Sequence, residues 1–209
     1  MKETLPMKNQ PKELIKNFGV TFSSSLGIDL QEGREEEIFK WLLASVLFGK
    51  RISFQIAAKT YEQFKFSNVL TPKAIRNTGW DGLVKILDDG GYVRYDFSTA
   101  SKLLALVEEL QHKYGSLTHL HRQAKDSKDL ESKIMEFKGI GPVTTNIFLR
   151  ELRTIWKKAD PEPLDFVKNY AADLGIDLRG FRRKTKLFVR LEAALIRSCK
   201  QKKSNPKRK

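Results

Sequence analysis

The stretch Phe137-Lys138-Gly139-Ile140-Gly141-Pro142-Val143-Thr144-Thr145-Asn146-Ile147-Phe148-Leu149 decides how the chain is read. Two glycines flank one aliphatic residue, a helix-like pattern precedes them, and a second such pattern opens with proline. That order predicts a tight hairpin between two helices. Glycine allows backbone angles and close approaches that a Cβ forbids, and Pro142 suits the first turn of the following helix. The N–H groups left open at that helix start, with the dipole behind them, form a place for an anion such as a phosphate. The same triplet also serves as a plain glycine cap between two helices, so the rest of the chain has to decide between the two.

Upstream of the hairpin, Asp126 to Phe137 carries Leu130, Ile134 and Met135 as an apolar stripe and reads as its first helix. Ser98 to Tyr114 is an amphipathic helix with a serine start, and His119 and His121 beyond it are not spaced as metal ligands and read as surface residues. Thr71-Pro72 opens a short helix and Trp80 to Leu87 forms another, ending at Gly90-Gly91. Arg34 to Phe48 begins with charges and becomes apolar all round, which marks a central, buried helix. Gly49-Lys50-Arg51 breaks it, and Ser53 can cap a helix running through Tyr61 and Phe64. Leu14, Ile15 and Phe18 suggest a short helix, and Gly19 to Gly27 a serine-rich loop.

Downstream, Val143 to Trp156 reads as one helix with Arg150, Arg153, Lys157 and Lys158 on its exposed face. Asp160-Pro161 looks like a cap and first turn for the next helix, which closes at Gly175; Gly180 to Cys199 forms a last, basic helix. With about nine or ten helices and no strand, the fold class is all-α.

The chain has 209 residues, a formal charge of +14 and 40% hydrophobic content, enough for a real core. Such an excess of base favours a polyanionic partner, nucleic acid before membrane. Six Lys or Arg lie from Lys200 onward, so the body is basic without its tail. Cys199 is the only cysteine, which excludes a disulfide framework and a cysteine-held iron–sulfur cluster. No metal or cofactor is expected, and no run is long and apolar enough for a membrane span or signal peptide. The expectation is a soluble, intracellular monomer.

The string from Lys138 to Asn146, the buried helix before it and the aspartate after it resemble the endonuclease III superfamily of helix-hairpin-helix DNA glycosylases. The resemblance covers roughly residues 33–178. It implies a two-lobed helical fold: an N-terminal segment, 1–32, packed on the second lobe; a helical lobe, 33–160, ending in the hairpin at about 126–157; C-terminal helices, 161–199; and a disordered basic tail, 200–209. It implies double-stranded DNA as partner, held by Lys138, Gly139, Ile140, Gly141, Val143 and Thr144, with Lys50 or Arg51 filling the gap left by a flipped base. A solvated turn is the alternative for Lys50 and Arg51. Tyr92 or Tyr95, beside the double glycine, could face the base, although aromatics next to such a turn more often pack on the core.

The family's catalytic aspartate stands at the start of the helix after the hairpin, where its charge stabilises the oxocarbenium-like sugar or activates water. Two residues compete: Asp160, closer to the family spacing and preceding a predicted helix, and Asp165, read as lying inside that helix. Asp160 is preferred, and its plain reading is a structural cap. Family members that also cut the strand carry a lysine two positions after the second hairpin glycine; here that residue is Val143. The resemblance therefore implies a monofunctional glycosylase, with a non-catalytic DNA-binding protein or an RNA-binding helical domain as rivals.

Overall fold

A computed structural model describes residues 10–204. Residues 1–9, and 205–209 at the end of the basic tail, lie outside the described residues. Among the described residues there are eleven α-helices, one 3₁₀ turn and no strand. The fold is all-α and two-lobed, as the sequence predicts.

The first lobe is built around α3 (Glu35–Phe48). Glu35, Glu36 and Glu37 occupy its first turn, where the dipole favours negative charge, and everything from Ile38 to Leu47 except Lys40 is buried. Around it run α4 (Phe54–Phe66), α5 (Pro72–Asp89), α6 (Asp96–Lys113), α7 (Leu117–Gln123) and α8 (Ser127–Met135). Local signals fix their starts: the side chains of Ser53, Thr71, Ser116 and Asp126 each accept a bond from an N–H three residues on. Gly79, at φ 69 and ψ 179, interrupts α5, which accounts for the two short helices read from the sequence. Glu35 reaches across to accept from the N–H groups of Leu117 and Thr118, tying α3 to the start of α7.

The second lobe combines the two ends of the described chain. Helix α1 (Gln10–Phe18) packs on α11 (Lys186–Ser204), and α10 (Asp165–Asp173) packs on α11 from another side. The serine run is helical rather than loop: α2 (Phe22–Ser25) is a single turn. It is too short to stand alone, and Glu151 holds it by accepting from the N–H groups of Phe22 (2.8 Å) and Ser23 (2.9 Å). The last helix starts later than expected, at Lys186, and continues to Ser204, so the first part of the basic tail is helix.

Between the lobes lies α9 (Pro142–Glu151), the second helix of the hairpin. Trp41 on α3 donates its indole N–H to the Phe148 carbonyl (2.9 Å), and Phe148 meets Trp156 edge to face. This helix ends at Glu151, earlier than the apolar periodicity suggested, and a series of turns carries the chain on to Lys158. Arg150 and Arg153 are not on an exposed face; they are 6% and 2% exposed.

Candidate active site and nucleic-acid interface

Helix α8 ends at Met135 and the chain turns through Phe137, which is buried, and Lys138, which is exposed. Gly139 has φ +89, a conformation that side chains rarely adopt, and a Cβ there would collide with the stem of Lys102. Ile140 drops into the core and anchors the loop. Gly141 is the N-cap of α9 and caps nothing with a side chain. The first helical bond runs from the Thr145 N–H to the Gly141 carbonyl, and the Val143 and Thr144 N–H groups have no acceptor among the described residues. The hairpin read from the sequence is therefore present, with its open donors in place.

A second element closes against it. Gly49, just after α3, packs so tightly on α9 that a Cβ would strike the Thr144 side chain. This brings Lys50 and Arg51 to the edge of the hairpin. Lys50 is held below the ordinary lysine value by partial burial and then by the ammonium of Lys102 beside it. Two cations lie side by side next to these N–H groups, a local excess of positive charge. Lys102 was invisible in the sequence, where it is one of many charges on the amphipathic helix α6.

The expected base-facing tyrosines are elsewhere. Tyr92 is fully buried and donates its hydroxyl to the Leu47 carbonyl (2.6 Å), so it is a core residue under the end of α3. Tyr95 is half-buried, with its ring 6.1 Å from Tyr92 and the Arg94 guanidinium over it. Neither lines the cleft described next.

That cleft, of about 570 Å³, opens between the lobes. Phe18 and Phe22 from the second lobe face Phe54 from the start of α4, with Arg197 and Lys200 of α11 closing the side. Phe54 stacks on Phe48 at 5.2 Å, and both meet the edge of Phe22. A pocket of this size with aromatic walls accommodates a planar ring.

The two candidate aspartates have opposite surroundings. Asp160 does not cap a helix. Residues 159–164 are not helical: Asp160 and Glu162 each precede a proline, and such residues are pushed out of the helical region. The Asp160 carboxylate is instead held between two arginines: Arg153 Nε lies 3.6 Å from one oxygen, and Arg183 donates to the other at 3.1 Å. Arg153 is completely buried, also pairs with Glu192 of α11 and donates to the Pro161 carbonyl. Arg183 binds Glu162 as well.

Asp165 is the first residue of α10, and its side chain is 88% exposed. Its carboxylate accepts from Lys168 one turn on (2.8 Å), which lowers its pKa and keeps it ionised. Asn146, in the second turn of α9, donates to the Glu162 carbonyl (2.7 Å) and so carries the chain back along α9 before Asp165 begins its helix. The structure thus puts Asp165, not Asp160, at the start of the helix that follows the hairpin.

No family model and no curated relative matches the chain by sequence. Among solved structures, the H. pylori 3-methyladenine DNA glycosylase MagIII, in a crystal bound to 1,N6-ethenoadenine, superposes with a TM-score of 0.53. The match covers 92% of this chain and 98% of that one at 17% identity. The chain has the helix-hairpin-helix DNA-glycosylase fold. Among the described residues no group of His, Cys, Asp or Glu is arranged to hold a metal, and no helix is long and apolar enough to cross a membrane.

Proposed function

We propose that the chain is a monofunctional DNA glycosylase, acting on a base flipped from duplex DNA into the cleft lined by Phe22 and Phe54, with Asp165 as the catalytic carboxylate. The observation that carries this reading is the environment of Asp165: an ionised, solvent-facing carboxylate at the helix start after a hairpin with open N–H donors. Asp160 has no such freedom, since both its oxygens are engaged by arginines within the scaffold.

In this reading Gly139, Gly141, Val143 and Thr144 hold a backbone phosphate through main-chain N–H groups, and Lys50, Lys102, Lys138 and Arg51 supply charge around it. Lys50 and Arg51 border the space that a flipped nucleotide vacates. As the N-glycosidic bond breaks, its electron pair leaves with the base and positive charge grows on the sugar. The Asp165 carboxylate stabilises that charge and accepts a proton from the water whose oxygen bonds to the anomeric carbon. The departing base takes its proton from solvent. Val143 has no amine with which to form a Schiff base, so the product is an intact strand with an abasic site.

The test is single-turnover base release from a panel of lesion-bearing duplexes. Asp165→Asn is expected to slow release by about 100-fold or more, within the range for a lost acid–base or charge-stabilising group. Asp160→Asn is expected to keep the rate within about tenfold and to lower thermal stability instead. Undiminished release by the Asp165 variant would remove that residue from the mechanism, and borohydride trapping of a DNA adduct would remove the monofunctional assignment. Duplex binding with no release from any lesion would favour a non-catalytic DNA-binding protein.

A further inference from the structure

The chain runs into Asp165 through a segment with an unusual backbone. Pro161 and Pro163 are both buried and neither has an N–H, and among the described residues no main-chain to main-chain hydrogen bond reaches residues 160–163. Two buried side chains hold this backbone instead. Arg153 donates to the Pro161 carbonyl (2.7 Å), and Asn146 donates its amide N–H to the Glu162 carbonyl (2.7 Å). The remaining polar anchors lie further back or at the surface: Asp160 pairs with Arg153 and Arg183, and Arg183 also meets the carboxylate of Glu162, whose side chain is 72% exposed. An exposed pair of that kind holds a backbone weakly. The Asn146 bond is therefore the last buried polar anchor on this backbone before α10 begins.

Asn146 is 5% exposed, and its Oδ1 is buried with no donor among the described residues. An unused buried acceptor is a cost that offsets what the single amide bond gives the fold. Stability alone is poorly served by such a residue; the placing of one carbonyl is well served. Asn146 stands in the second turn of the helix whose first turn carries the open Val143 and Thr144 N–H groups, so one rigid element bears both those donors and the bond that fixes the run into Asp165. We propose that Asn146 is a positioning residue for Asp165, setting the distance between the open end of α9 and the carboxylate. The inference rests on the glycosylase reading with Asp165 as its carboxylate. A catalytic group misplaced by about 1 Å loses on the order of 100-fold in rate, so breaking this bond acts on the chemical step and not on the hold on DNA.

The test is a double-mutant cycle on the full chain, read by single-turnover base release and by duplex affinity, with duplexes carrying uracil, hypoxanthine, 8-oxoguanine or 7-methylguanine. Asn146→Ala removes the amide, and Asn146→Asp keeps its shape but, as a carboxylate, has no N–H to donate. Each is expected to slow release by about 10- to 100-fold while the duplex Kd stays within about threefold of wild type. In the Asp165→Asn background the same changes are expected to slow release by less than about threefold, because a residue that acts through Asp165 has nothing left to place. Circular dichroism shows which variants are folded. Release at the wild-type rate by a folded variant, a loss confined to affinity, equal losses with and without the Asp165 carboxylate, or loss of the fold in both variants overturns the positioning role and leaves the glycosylase reading intact. No release of any of the four bases by the wild type overturns the glycosylase reading, and undiminished release by Asp165→Asn overturns the choice of carboxylate; the positioning role falls with either.

Discussion

The two ends of α9 are built on opposite principles. The N-terminal end is glycine, open N–H groups and the exposed side chain of Val143, with charge supplied from neighbouring elements by Lys50 and Lys102. At the C-terminal end two arginines are buried one turn apart, Arg150 and Arg153. Arg153 makes ion pairs with Glu192 and Asp160 and donates to a carbonyl, while Arg150 lies over the Phe22 ring and, among the described residues, makes no direct ion pair, with the charges of Glu192 and Glu151 acting on it from nearby. Paired charge in the interior joins pieces of scaffold, while open main-chain N–H groups at a helix start leave a place for an anion.

The largest expected effect tests that contrast within the buried pair. Arg153→Met leaves Glu192 buried without its counter-charge and Asp160 with Arg183 alone, and is expected to destabilise by about 3–5 kcal/mol, measured by urea unfolding. Arg150→Met removes a guanidinium that makes no direct ion pair among the described residues, and its unfolding free energy is expected to stay within about 1 kcal/mol of wild type. Equal losses for the two variants would break the distinction between matched and unmatched ends.

At the open end the expected effect is smaller and appears in binding. Lys102→Ala should weaken duplex binding across sequences and reduce the slope of log affinity against log salt by about 1, as for one phosphate contact. A slope identical to wild type would take Lys102 out of the interface and leave it as packing over Gly139.

The smallest effect lies just beyond the closed end. His121 stacks on Trp156 at 4.7 Å, where burial first, and then Lys158 and Arg122, lower its pKa below the ordinary histidine value. It is half-buried rather than a plain surface residue. Because the folded state favours the neutral ring, its contribution to stability is complete above the unfolded histidine pKa and is lost as pH falls through the lower folded value. Unfolding midpoints measured from pH 8 down to pH 5 should therefore drop less for His121→Phe, which keeps the stacking partner, than for wild type.

Much of this molecule was legible in its residues. The hairpin, the buried α3 and the helix starts at Ser53, Thr71 and Asp126 follow from local rules acting within a turn or two. What failed was whatever depends on distant partners. Arg150 and Arg153 looked solvent-facing because charged residues on a helix usually are; their burial depends on Glu192, on α11, and on Phe22 near the other end of the chain. Asp160 looked like a cap because Asp-Pro often is one, but Pro163 adds a second restriction that keeps the segment extended and moves the helix start to Asp165. The cleft was missed because its walls come from α1, α2, α4 and α11, and no single stretch announces it.

The pairing of α1 with α11 also dictates an order of assembly. Arg190 donates to the Gly19 carbonyl across 171 positions of sequence, whereas most contacts in the first lobe join successive helices. Closing so long a loop is entropically slow, while neighbouring helices meet quickly. During synthesis the first lobe can condense while α1 waits, unpaired, for the last helix to emerge. The second lobe, and with it the aromatic cleft, is therefore the final part of the molecule to form.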